Sequence, residues 1–343
     1  MIEIAVLFFL ALVWVIFATI SDIKSKEIPN WLNFSLAIFA LSLRFFYSFF
    51  SGDGSGFFPA ILILGFSILL FISFFNSSFK KRYKEVLYFF AVSAFFAGVI
   101  WLYLSDPAIL SGSSFSFFYQ GIIGLGIFFV IGNLLSYGRA FAGGDTKLMV
   151  ALGAVLPLFF NTLLNITILL LFTLIFLVSG SFYGLFASAY IGLSNLDKLK
   201  KSFIKSFADH KKLVFGYCLA GIIFLIFGVI NPSFGYFGVF LFVFPYFYLF
   251  LKSVDESCMI KNVKVSELTP GDWLYKDVKI GRKTIKATWD GLSKEDILSM
   301  KSRKSVLIRR GIAFAPVFLI SMVLLIVFYL TGFFGYFFNL LWF

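Results

Sequence analysis

Two short stretches concentrate the residue types that can do chemistry: Ser21-Asp22-Ile-Lys-Ser-Lys-Glu27-Ile-Pro29-Asn30-Trp-Leu and Phe141-Ala-Gly143-Gly144-Asp145-Thr-Lys147-Leu-Met. Each sets one aspartate at the polar end of a long apolar run. Carboxylates are rare in such runs and mark function where they occur. Two that approach each other cannot both ionise cheaply, so they share a proton: the ionised one can take a proton from water, and the protonated one can give a proton to a carbonyl. Such a pair titrates as a unit, and the sequence does not say which aspartate is the base. A helix starting near Gly143 puts Asp145 at its N-terminus, which favours the charged form.

The neighbours of the aspartates have readable roles. Pro29 disfavours helix at Ile28 and fixes the entry to the next span, and Asn30 is a good N-cap for a helix beginning near Trp31, so Asp22 is expected on a short constrained loop. Gly143 and Gly144 free the backbone for positive φ or for close approach of another chain. Lys147 can orient a substrate or an oxyanion, or anchor a helix start at a headgroup layer.

Other hydrolytic chemistries lack material. His210 is the single histidine, with no HExxH around it, and the two cysteines, Cys218 and Cys258, form neither a CxxC pair nor a disulfide framework. No metal site and no cofactor are expected. Nothing marks a particular serine for a serine–lysine dyad.

The elements that must position the aspartates follow from composition. The chain has 343 residues, of which 60% are hydrophobic and 21% aromatic, with mean hydropathy +0.97 and only 13% charged, against about half apolar and a quarter charged in soluble proteins. The expected fold is an all-α polytopic membrane protein of about ten transmembrane helices with a small cytosolic α+β module. Spans are expected near 2–20, 32–50, 57–75, 87–104, 117–137, 147–163, 165–190, 213–230, 234–251 and 311–331, each matching a ~30 Å hydrocarbon layer. Phe333–Phe343 is too short to span and is expected at an interface or as a re-entrant piece.

Basic residues fall on alternate connections: Lys24 and Lys26, Lys80–Lys84, Arg139 and Lys147, Lys198–Lys212, and Lys252–Arg310. The intervening connections carry none, which places the N-terminus outside and the basic loops in the cytosol. Four spans, an even number, separate Asp22 from Asp145, so both are expected on the cytosolic face. Arg44 alone breaks the pattern, and snorkelling toward the outer headgroups is its simplest account. The net charge of +12 follows topology and suits anionic lipid, which argues against nucleic acid as a partner.

The chain is accordingly divided into a membrane core at 1–251, with a basic loop at 194–212, a cytosolic module at 252–304, and a C-terminal span and tail at 305–343. In the module, Asn262–Val265 and Trp273–Ile280 alternate like strands around the turn Thr269-Pro-Gly-Asp272, and Ser293-Lys-Glu-Asp296 opens a capped helix.

The motif order Asp22-x5-Ile28-Pro29-Asn30-Trp31-Leu32, then Gly143-Gly144-Asp145-x-Lys147-Leu148 and Ala151-Leu-Gly153-Ala, resembles the type IV prepilin peptidase family of GxGD-type membrane aspartyl proteases. The resemblance covers the first six spans. It is closest to the archaeal prepilin and preflagellin peptidases, since Gly311-Ile-Ala-Phe-Ala-Pro316 resembles their C-terminal segment. It implies a cell-membrane endopeptidase that removes the short basic class III signal peptide of type IV pilin-like or archaellin precursors at the cytosolic face, with Asp22 and Asp145 catalytic. Ala142 stands where the family has its first glycine, and the CxxC module of the bacterial members is missing, so no methyl transfer is implied.

Readings of other classes stay open. A polytopic transporter or a non-catalytic membrane scaffold could carry the same apolar spans. A presenilin-like intramembrane protease is the nearest enzymatic rival, separated from the first reading by an aspartate inside an apolar span rather than in a loop. Oligomeric state is not readable.

Overall fold

The computed structural model describes residues 2–51, 65, 115–138, 140–281, 283–288, 291–309 and 311–342. The spans expected near 57–75 and 87–104, the Lys80–Lys84 loop and Arg139 lie outside the described residues. Two compact units emerge, Met1–Ser181 with Ala313–Phe343, and Phe182–Ile312.

In the first unit the helices are α1 (Ile2–Ser25), α2 (Asn30–Ser51), α3 (Ser116–Tyr137), α4 (Gly143–Val155), the first part of α5 (Thr162–Leu193), α10 (Ala315–Leu330) and α11 (Phe333–Trp342). α1 packs on α2 and α10, and α3 and α4 lie side by side with α2 across both. The α3–α4 approach depends on small residues: a Cβ at Gly153 would sit 2.5 Å from the Gly124 carbonyl oxygen, so backbone meets backbone there. Apolar residues fill the interior, among them Leu7, Ala11, Leu36, Phe128, Met149 and Phe172.

Arg44 does not snorkel. It is fully buried, its guanidinium donating to the carbonyls of Phe117 (2.9 Å), Ala154 (2.9 Å), Val155 (2.9 Å) and Pro157, with its carbon 4.4 Å from the Phe117 ring centroid. Three of those carbonyls close the C-terminal end of α4, where a helix leaves its acceptors unmet and its dipole negative. The helix end supplies locally what lipid headgroups would supply at a distance.

Among the described residues five helices are long and apolar enough to cross a membrane: α1, α2, α3, α5 and α8 (Pro232–Ser253) with its continuation to Cys258. Two bent pairs bring the number to as many as seven among the described residues, α6 (Leu196–Asp209) with α7 (Lys211–Phe227) at 77°, and α10 with α11 at 87°. α4 has 13 residues, about 20 Å of helix against a ~30 Å hydrocarbon layer. The chain expected as one span at 147–163 thus consists of a short helix followed by an irregular turn through Pro157.

The second unit holds the rest of α5, α6, α7, α8 (Pro232–Ser253) and the strands. The stretch 194–212, expected as a loop, is largely the helix α6. His210 sits at the α6–α7 junction, where Nδ1 lies 2.8 Å from the Ser206 carbonyl and Nε2 3.0 Å from Lys252 Nζ. Since an ammonium only donates, Nε2 accepts and Nδ1 donates. Beyond α8 a π turn, Val254–Cys258, leads into β1 (Ile260–Lys264), β2 (Trp273–Leu274), β3 (Val278–Ile280), β4 (Lys283–Ile285), the short helix α9 (Lys294–Ser299) and β5 (Ser305–Arg309). The sheet order is β1-β5-β2, antiparallel throughout, with β3 and β4 as a separate pair. Val265, Leu268, Leu274, Val278, Ile285, Leu292, Met300, Val306 and Ile308 form its core. The expected turn is present, with Gly271 at φ 102 and Asp272 Oδ2 accepting from Thr269 N at 2.8 Å. The expected cap is present too, with Ser293 Oγ accepting from Asp296 N at 3.1 Å.

Candidate active site

Asp22 lies in the last turn of α1 rather than in a loop. Pro29 acts on Ile28 alone, and nothing between Ile20 and Ser25 opposes helix, so α1 runs on until Lys26 takes a left-handed φ of 61 and its N–H closes on the Asp22 carbonyl at 2.9 Å. That turn costs a non-glycine residue about 1–2 kcal/mol. It is held by the hydroxyls of Ser21 and Ser25, which both donate to the Glu27 carbonyl (2.9 and 3.2 Å). The chain then reverses through Ile28 and Pro29 into α2.

The Asp22 side chain is buried, at 7% exposure, and its Oδ2 accepts the backbone N–H of Ala315 at 2.8 Å. Ala315 opens α10, and Pro316 beside it carries no N–H; the Ala315 donor is one of those that a helix start leaves unmet. Thr19 Oγ1 donates to the Ala315 carbonyl at 3.3 Å. This backbone clamp has no side-chain signature, so the residues around Asp22 do not announce it. Its one sequence signal is a proline at the start of an apolar span, which marks a helix N-terminus.

Asp145 sits in the first turn of α4, also 7% exposed, with Oδ2 accepting from Ala142 N at 3.2 Å. Ala142 is extended, φ −79 and ψ 164, a conformation any residue adopts, so alanine at this position carries no backbone penalty. Neither Gly143 nor Gly144 has positive φ. Of the two expected uses of these glycines, close approach is the one with room. A Cβ on Gly144 would stand 3.4 Å from Ile28 Cβ, while one on Gly143 would meet nothing within 4 Å. Phe141 fixes the approach to α4, its ring 5.5, 6.0 and 6.0 Å from those of Phe176, Phe314 and Phe318. The segment that clamps Asp22 therefore also packs, through Phe314, against the strap that carries Asp145.

Asp145 responds to the charge of Asp22. Burial first, and then the charge of Asp22, hold the Asp145 carboxyl up at about 7, while the Ala142 N–H bond pulls the other way. The helix N-terminus was expected to favour the charged form; desolvation and a like charge outweigh it. The proposed supporting residues also meet: Lys147 Nζ donates to Asn30 Oδ1 at 2.7 Å, tying α4 to the start of α2. Asn30 is the first residue of α2, with its side-chain oxygen turned to that lysine. Pro29 is half-buried at the reversal between them.

The arrangement is two buried carboxylates on separate helices, each pinned by one backbone N–H, beside an uncovered glycine. Two carboxylates of unequal surroundings can pair a base with an acid. No family model, curated protein or solved structure matches the chain.

Proposed function

We propose that this chain is a membrane aspartic endopeptidase that removes the short basic class III signal peptide from type IV pilin-like or archaellin precursors at the cytosolic face of the cell membrane. Asp22 and Asp145 form its water-activating dyad. The observation that carries the reading is the pair of buried carboxylates itself, in which burial first and then the charge of Asp22 raise Asp145 toward neutrality. In this reading one ionised aspartate takes a proton from water, the hydroxide attacks the scissile carbonyl, and the protonated partner donates to the carbonyl oxygen. The same groups then return a proton to the leaving amine. The uncovered side of Gly143 suits an extended substrate backbone, and the one-sided basic connections support an N-terminus outside.

The test is cleavage of candidate precursors by the detergent-solubilised protein, with sequencing of the products. Asp22→Asn and Asp145→Asn keep size and most hydrogen bonding but cannot exchange the proton. Each is expected to cost about 10²–10⁴-fold or more, with the double variant little worse than either single one. A folded, inserted Asn variant that still cuts at a substantial fraction of the parent rate ends the aspartyl mechanism and returns a transporter or scaffold.

One observation favours the enzymatic rival: Asp22 is helical, at the end of an apolar span, as a presenilin-like intramembrane protease requires. Cleavage within a transmembrane substrate peptide, with precursor leaders left intact, would select that reading.

A further inference from the structure

We propose that the strand-rich module carries a docking cleft for an extended acidic peptide of a partner protein, which adds as a fourth strand to the outer edge of β1. Among the described residues the sheet order β1-β5-β2 leaves β1 with a strand on one side only. The hydrogen-bond register says which of its residues face outward. Val265 N donates to Lys304 O and Tyr275 N to Leu307 O. With Asn262 opposite Leu307 and Val263 opposite Val306, alternation along an antiparallel ladder turns the main chain of Lys261 and Val263 toward β5. It turns that of Asn262 and Lys264 away from it.

That outward edge opens on a cleft of about 900 Å³ lined in part by Asn262, Lys264, Ile297, Lys301, Arg303 and Lys304, with no Asp or Glu in its lining among the described residues. The three lysines and Arg303 are exposed. An edge strand carrying lysine is guarded against apolar strands, but the same four cations attract an acidic one. A strand added there gains main-chain bonds from Asn262 and Lys264, with the four cations and Ile297 of the cleft lining its path. Acidic residues alternating with apolar ones fit this edge. A basic leader of the kind proposed above as substrate is repelled, so the occupant is a different segment, and the inference stands or falls apart from catalysis.

The experiment uses the full-length protein in detergent and a fluorescent eight-residue peptide of alternating Glu and Val, followed by anisotropy. Saturable binding is expected, at least about tenfold tighter than for an alternating Lys/Val peptide and at least about tenfold tighter than for the same Glu/Val peptide N-methylated on its pairing amides, the worth of one or two main-chain bonds. Asn262→Pro removes one outward N–H without touching the β1–β5 ladder, a position where edge strands accept proline. It should weaken binding where Asn262→Ala does not, and Lys264→Glu with Lys304→Glu should abolish it. Equal binding of the N-methylated peptide, or displacement by inorganic phosphate at matched ionic strength with both Asn262 variants alike, would reduce the cleft to a plain anion site and overturn strand addition. Equal binding of the Lys/Val peptide would overturn the acidic partner.

Discussion

Asp145 is pulled in two directions, and the balance sets a pH dependence that can be read without any substrate. Its carboxyl is held at about 7 in the folded protein, above the ~3.9 of an exposed aspartate. The folded state therefore binds this proton where the unfolded chain has lost it. The penalty is absent below pH ~4, grows as pH rises, and is complete above about 7, reaching on the order of 4 kcal/mol. Asp145→Asn removes the titrating group. In detergent the variant should unfold at a higher temperature than the parent at pH 8, and the difference should vanish near pH 4; a gap independent of pH would show that Asp145 is not held protonated. Gly143 makes a second prediction. Since a Cβ there meets nothing and alanine is the better helix residue by about 1 kcal/mol, Gly143→Ala should fold at least as well as the parent while precursor cleavage falls. Unchanged cleavage would mean that no chain passes that face. At this scale the two carboxylates were legible, because an aspartate in apolar sequence has few reasons to be there. The Ala315 N–H was not, since a backbone donor has no residue type to betray it, and neither was the helical state of Asp22, where one distant proline was given too much reach.

At the level of elements, α4 is the part that differs most from a plain reading of hydropathy. Apolar sequence runs on past Val155, but the helix stops there, before Pro157, which disfavours helix at Leu156, and a side chain from another helix takes the carbonyls at its end. Arg44 takes the carbonyls of Ala154, Val155 and Pro157 in one fork, a role for the planar guanidinium that a lysine fills only in part. Removing it orphans several buried acceptors at once. Arg44→Met is expected to destabilise the first unit by about 3–5 kcal/mol, with Arg44→Lys in between, measured as loss of thermal stability in detergent. A neutral Arg44→Met would mean that the α4 end finds other donors. Single-sequence hydropathy could not see this, because it scores the arginine as a cost to its own helix and cannot count partners on another. Conversely, the turn at Thr269–Asp272 and the cap at Ser293 were legible because their chemistry is local. β5, at the centre of the sheet, was missed because Ser-Val-Leu-Ile-Arg is short and its partners lie more than thirty positions upstream.

For the whole molecule the decisive quantity is sidedness. Cysteines introduced in Asn161–Asn165 and Asn231–Gly235 are expected to label from outside the cell, and those in Lys198–Lys212 only after permeabilisation, following the distribution of basic residues. Positions flanking Asp22 and Asp145 must label from the same side; opposite labelling would separate the dyad. Arg44 adds a constraint of timing. Its carbonyl partners follow it in the chain by 73 to 113 residues, which at about 5–20 residues per second is several seconds of synthesis. Through that interval a guanidinium in mid-helix costs roughly 2.5–3.5 kcal/mol at the centre of a bilayer, so α2 has reason to remain shallow, or within the insertion machinery, until its partners emerge. The chain that finally settles the arginine is α4, and α4 brings Asp145 with it. Satisfaction of Arg44 and arrival of the second carboxylate are thus a single event in biogenesis, and a nascent chain cannot reach one without the other.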